Sequence, residues 1–172
     1  MSASQLRKIL FVACLAALSG CGFQLRGAYT LPYESLYVAG ADYNLVVANL
    51  KRAIRNGSGT RLVENADEAQ ATFLPTAEAR DTVILSVSSS GRAREKRLRY
   101  RYAYRVVDSQ KRDLVLPTSV EITRDLSYAD SDVLAKTEEE NLLWRDMEND
   151  LVQQLMRRLA AVKPTPPEKT LD

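Results

Sequence analysis

The 172-residue sequence contains no histidine and only two cysteines. Without imidazole, Ser-His-Asp and Cys-His nucleophile systems cannot be assembled, and the commonest zinc and iron ligand is missing. An enzyme built from this chain would have to run on carboxylates, lysine or tyrosine. Glu95, Glu121, Asp125 and Asp130 are available, but their spacing forms no acid–base motif. No phosphate-binding loop or metal-ligand spacing occurs either, so no catalytic residue, cofactor or metal is expected. Net charge is also scarce. The 24 basic side chains exceed the 22 acidic ones by two. Arg7 and Lys8 account for that excess, so the chain beyond them is neutral and any basic site must come from local clustering.

Long apolar runs are limited to Ile9–Ala17, too short to cross a bilayer, which needs about 20 apolar residues. Arg7 and Lys8 precede this run and Leu18-Ser19-Gly20-Cys21 follows it. That is the order of a signal peptide ending in a lipobox. A buried N-terminal helix ending in Gly-Cys would not require charge, apolar run and small residues in this order. Residues 1–20 are therefore expected to be a lipoprotein signal peptide, with Cys21 acylated after cleavage. Both cysteines are then accounted for: Cys14 leaves with the signal, and the mature domain has neither free thiol nor disulfide. Residues 21–32 should form a lipidated tether, 33–162 a single α+β domain, and 163–172 a disordered tail containing Pro164, Pro166 and Pro167.

Within the domain, Leu36–Ala39 reads as a short strand. Asp42 is a candidate N-cap for a helix from about Tyr43 to Arg55, with Val46, Leu50 and Ile54 on one face and Asn56-Gly57 ending it through a left-handed glycine. Arg61–Val63 could be a small strand and 65–70 a polar turn. Three long strands follow, over Thr82–Ser88, from after the Ser89-Ser90-Gly91 turn to about Val107, and over Leu114–Asp125. The first puts Val83, Leu85 and Val87 on one face; the last alternates Leu114, Leu116, Val120 and Ile122 against Val115, Ser119, Glu121 and Thr123. Pro117 places that last strand at an edge or a bulge. A second helix carries Trp144, Met147, Leu151, Leu155 and Leu159 as a stripe; Thr137-x-x-Glu140 has capping-box form, with a start near Asp132 as the alternative. The expected fold is an α+β two-layer sandwich, two helices on one face of a roughly four-stranded mixed sheet in the order β-α-β-β-β-α. The first strand should pair parallel with a later one.

The chemically unusual stretch is Gly91–Arg105. From Leu98, the residues Leu98, Tyr100, Tyr102, Tyr104 and Val106 share one face, and Arg97, Arg99, Arg101 and Arg105 share the other. Before Leu98, Arg92, Arg94 and Lys96 fall on the tyrosine side, through either a strand end projecting past the helices or a bulge near Lys96. Such arginines can simply solvate and blunt a sheet. They can equally hold anions, since guanidinium forks match phosphate bidentately. Arg-Tyr alternation also suits single-stranded nucleic acid, but an envelope lipoprotein meets phosphorylated glycolipid instead. The tyrosines are read as a row beneath a helix.

Leu18-Ser19-Gly20-Cys21-Gly22-Phe23-Gln24-Leu25-Arg26-Gly27, together with the helix from Asp132–Lys136 through Leu151–Leu159, resembles the LPS-assembly lipoprotein LptE family across nearly the whole mature chain. The resemblance implies an outer-membrane lipoprotein without catalytic activity, anchored on the periplasmic side. It also implies that the protein plugs the lumen of the LptD β-barrel, assists that barrel's assembly, and binds lipopolysaccharide during delivery to the outer leaflet. Gly22, rather than aspartate after the cysteine, agrees with release to the outer membrane. Lipopolysaccharide-binding candidates are the local cluster Arg92, Arg94, Lys96, Arg97 and Arg99; no nucleic-acid partner is expected. The alternative is an envelope scaffold lipoprotein without a glycolipid site.

Overall fold

The computed structural model describes residues 29–128 and 133–162, with side chains of the second stretch described from Ala135. The signal peptide, Cys21 and the C-terminal tail lie outside the described residues. The first strand, β1 (Ser35–Val38), buries Leu36 and Val38 completely. Gly40 then turns the chain at φ +117°, where a Cβ would stand 2.9 Å from Val47 Cγ2, so only glycine fits. Helix α1 (Leu45–Gly57) turns Val46, Val47, Leu50 and Ile54 inward.

Both ends of α1 differ from expectation. Its N-cap is Asn44, not Asp42: Asn44 Oδ1 accepts from Val47 N at 3.0 Å, whereas Asp42 pairs with Lys51 at 2.7 Å. Gly57 stays helical, without positive φ, and Ser58 ends the helix by donating its N–H and hydroxyl to Ile54 O.

A two-residue strand, β2 (Arg61–Leu62), and a single 3₁₀ turn (Ala66–Glu68) lead into β3 (Ala71–Val87). This 17-residue strand begins eleven positions before the expected Thr82. Its first half contains Pro75, Ala77, Glu78, Ala79 and Arg80, which hide the alternation, and its register against the next strand shifts between Pro75 and Ala77. Strands β4 (Ala93–Asp108) and β5 (Asp113–Ser127) complete the meander. The sheet order is β2-β1-β3-β4-β5, with β1 parallel to both β2 and β3 and the rest antiparallel. The mixed sheet and parallel first strand agree with the sequence reading; β2 adds a fifth strand.

Pro117 does lie on an edge strand, beside register shifts between Tyr104 and Val106 and between Val106 and Val107. Those shifts break the expected apolar alternation of β5: Val120, Ile122 and Leu126 are buried, while Leu116 is 73% exposed. Helix α2 (Val133–Ala160) starts at Val133, so Thr137 and Glu140 lie inside it and form no capping box.

Both helices pack on the face of the sheet that carries Leu98, Tyr100, Tyr102, Tyr104 and Val106. Met147, Leu151, Val152, Leu155, Met156 and Leu159 bring α2 onto it. Phe73 stacks on Tyr104 with centroids 5.0 Å apart, and Trp144 meets Tyr100 edge-on at 6.3 Å. Burial raises the pKa of Tyr102, and it pushes Tyr33, beside Tyr104, up to about 12.

The tyrosine row is therefore core, but its hydroxyls are not equivalent. Tyr100 donates to Glu78 Oε1 at 2.6 Å and accepts from Arg80 at 3.1 Å, whereas Tyr102's buried hydroxyl has no partner among the described residues. Tyr102→Phe should leave stability unchanged or raise it by about 1 kcal/mol, and Tyr100→Phe should cost about 1–2 kcal/mol. Urea unfolding midpoints measure both, and equal losses would contradict this assignment.

Candidate functional site

The five-strand width of the sheet exists at one end only. β1 reaches β3 no further than Phe73, and the remaining fourteen residues of β3 continue with β4 and β5 alone, for about 45 Å. The described chain enters beside the end of α1, where Tyr29 bridges to Ser58. The β3–β4 turn, Ser88–Arg92, is thus at the far end of the domain. It is closed by Ser88 N–H donating to Arg92 O at 2.7 Å, with Gly91 at φ +78°.

The five candidate cations divide among three positions. Arg92 and Arg94 lie at this far tip, exposed, with no side-chain partner among the described residues. Arg97 and Arg99 share the outer face, away from the helices, and each is already engaged. Arg97 grips Asp125 through two bonds of 2.7 and 2.8 Å; Arg99 donates to Asp81 at 2.7 and 2.9 Å. Arg101, 3.4 Å from Asp81, and Arg105, 3.7 Å from Asp113, extend this outer file.

Lys96 projects on the helix side. Its Nζ donates to Tyr128 Oη at 2.9 Å and lies 3.7 Å from Glu140 on α2. For Lys96, neither explanation of the parity change holds. Register shifts do occur here, on the β3 side at Ile84–Ser86 and Ser86–Val87, while β4 keeps register with β5 through Glu95. Lys96 remains on the tyrosine face and is met by Glu140 of α2, whereas Arg94 is exposed.

Two features escaped the sequence reading. Val83, Ile84, Leu85 and Val87 are exposed by 40, 57, 43 and 58%, so the tip offers apolar side chains beside its free cations. Apolar alternation had pointed to a buried face, but Val83 lies opposite Arg97, on the face away from the helices, and the register shifts after Ile84. The second feature is a polar knot on the helix side. Arg80 packs over Tyr100 at 4.5 Å and near Trp144 at 5.9 Å, and it pairs with Glu148, which is only 6% exposed. Glu78 accepts from Tyr100 and, at 2.7 Å, from Asn44 Nδ2, so the knot ties β3, β4, α2 and the cap of α1 together. Arg80 lies in the half of β3 that does not read as strand, which is why its role was illegible. Among the described residues no cluster of metal-ligating side chains occurs.

Arg99 and Arg97 hold the carboxyls of Asp81 and Asp125, respectively, below the usual carboxylate range by hydrogen bonding. The stability these pairs contribute is complete above pH about 4 and is lost as pH falls through the lowered native values. Thermal unfolding of an Asp81→Asn/Asp125→Asn variant should show a deficit against the parent at pH 7 that closes as pH falls through the lowered native values. A deficit of constant size across that range would show that the pairs do not act through ionisation.

Residues 33–159 match the family described as LptE, lipopolysaccharide-assembly. Two LPS-assembly lipoproteins LptE are similar over most of the chain. The Photorhabdus laumondii protein is 26% identical, covering 90% of this chain and 85% of its own length. The Pectobacterium atrosepticum protein is 29% identical, covering 91% and 86%. Among solved structures, the solution structure of a lipoprotein B from Nitrosomonas europaea is 35% identical with a TM-score of 0.70, over 81% of this chain and 91% of that one. The rare lipoprotein B of Shewanella oneidensis, 22% identical over 73% and 93%, shares the fold at a TM-score of 0.63. Family match, curated relatives and fold agree: this chain belongs to the LptE family of lipopolysaccharide-assembly lipoproteins.

Proposed function

We propose that the protein is an outer-membrane lipoprotein, anchored on the periplasmic side through acylated Cys21, that plugs the LptD β-barrel, assists its assembly and binds lipopolysaccharide during insertion into the outer leaflet. Its work is binding and positioning rather than catalysis. Membership of a lipopolysaccharide-assembly family supports the general role. A diacylglycerol and an amide-linked acyl chain on Cys21 would supply more than the two signals that stable anchoring requires.

The observation that carries the glycolipid reading is the composition of the hairpin tip. Arg92 and Arg94 are exposed and without side-chain partners among the described residues, and on the neighbouring strand Val83, Ile84, Leu85 and Val87 are exposed. Phosphate wants guanidinium and acyl chains want apolar surface, so a phosphorylated glycolipid finds both at one place. Arg97 and Arg99 would join by exchanging Asp125 and Asp81 for phosphate oxygens. Lys96 would act from beneath, holding Tyr128 and the first half of α2 in place.

Purified lipoprotein in detergent carrying Arg92→Glu and Arg94→Glu should bind lipopolysaccharide roughly tenfold or more weakly at low salt, with the difference shrinking as ionic strength rises. Arg55→Glu/Arg61→Glu, at the other end of the domain, should leave affinity unchanged. Unaltered binding by the tip variant at low salt would remove the glycolipid site and leave an envelope scaffold.

A further inference from the structure

We propose that the open backbone edge of β3, from Glu78 to Ile84, is a strand-pairing site whose occupant is an extended segment of the partner barrel protein. This rests on the plug reading above and adds to it the surface through which the partner is held. Past Phe73, where pairing with β1 stops, β3 has no neighbour on that side among the described residues.

The direction of its backbone groups follows from the ladder. Tyr128 N–H donates to Arg94 O at 2.7 Å, so the even-numbered residues of β4 bond to β5 and the odd-numbered ones to β3. The partners of Arg97, Arg99, Arg101 and Ala103 are Val83, Asp81, Ala79 and Ala77, whose N–H and C=O groups therefore face β4. Ala39 N–H donating to Phe73 O at 2.9 Å shows the same alternation where β1 is present. Glu78, Arg80, Thr82 and Ile84 consequently present their backbone donors and acceptors outward, in a row with a spacing of about 6.8 Å.

The opposite edge of the sheet is guarded and this one is not. On β5, Arg158 Nη1 donates to Ser119 O at 3.2 Å, Arg124 Nη1 donates to Thr123 O at 2.9 Å, and Pro117 interrupts the strand. By the same alternation, Ser119 and Thr123 are the outward-facing residues of β5, so arginines cover the acceptors through which a foreign strand would attach. From Glu78 to Ile84 no side chain of the described residues bonds to the β3 backbone. Val83, Ile84 and Leu85 are exposed on its two faces. A glycolipid offers no regular row of donors and acceptors to meet such an edge. Another polypeptide in extended conformation does.

Hydrogen exchange by mass spectrometry on the full-length lipoprotein, alone and in complex with LptD, tests this directly. The amides of Glu78, Arg80, Thr82 and Ile84 should exchange freely in the isolated chain and slow at least about tenfold in the complex, while Glu121 and Thr123 on the guarded edge should not slow. Thr82→Pro deletes one outward N–H without touching the β4 ladder and should reduce the yield of complex; Thr123→Pro, at an equivalent outward position on β5, should not. A complex that forms without slowing these four amides overturns the edge assignment and leaves the plug reading intact. Failure of the parent chain to form any complex overturns both. Slow exchange already present in the isolated chain assigns the edge to a second copy and also overturns the proposal.

Discussion

The structure depends on one strand obeying a two-residue alternation. In β4, every second side chain from Leu98 to Val106 is apolar or tyrosine and goes under the helices, while the residues between them include Arg97, Arg99, Arg101 and Arg105. A register slip of one residue would put these guanidiniums against Leu151 and Leu155, a burial of unpaired charge that no packing in this core could offset. The alternation therefore fixes which face receives α1 and α2 and aligns β3 and β5. It also leaves the outer face as a field of arginines balanced by Asp81, Asp113 and Asp125. A neutral domain with a locally basic surface follows from that arrangement.

Where the sequence carried its signal in apolar periodicity, the reading agreed with the structure: β1, the body of α1, the β4 alternation and the buried stripe of α2. Where structure comes from tertiary context, the signal was absent. The first half of β3 is strand because β1 and β4 flank it, although Ala77, Glu78, Ala79 and Arg80 have little strand character of their own. Asn44 outcompetes Asp42 as a cap because Lys51 draws Asp42 away, a choice made by side chains nine positions apart. Val83, Leu85 and Val87 alternate as a core strand should, but Val83 pairs with Arg97 and so lies on the face turned away from the helices, with a register shift following at Leu85. Of the candidate site, the basic cluster was legible as composition. Its division into free tip arginines, paired outer-face arginines and a half-buried lysine was not, because the partners lie on three other elements.

The geometry separates two ends of the sheet by most of the domain's length. The chain enters at the wide, five-stranded end, and the tip with Arg92 and Arg94 stands about 45 Å further along β3. Between them the Arg80–Glu148 pair, capped by Tyr100 and Trp144, ties the sheet to α2 where the sheet has narrowed to three strands. Removing one partner of such a pair leaves the other charge buried without compensation. A wide five-stranded end, a three-stranded extension and an exposed tip with cations and apolar side chains form an arrangement suited to the glycolipid binding proposed above.

Photo-crosslinking in cells separates the two ends of the molecule. A crosslinking residue in place of Ser90, at the tip, should capture lipopolysaccharide, and the same residue in place of Gln110, in the β4–β5 turn at the wide end, should not. Capture from position 110 with none from position 90 would place the glycolipid at the wrong end and contradict the account.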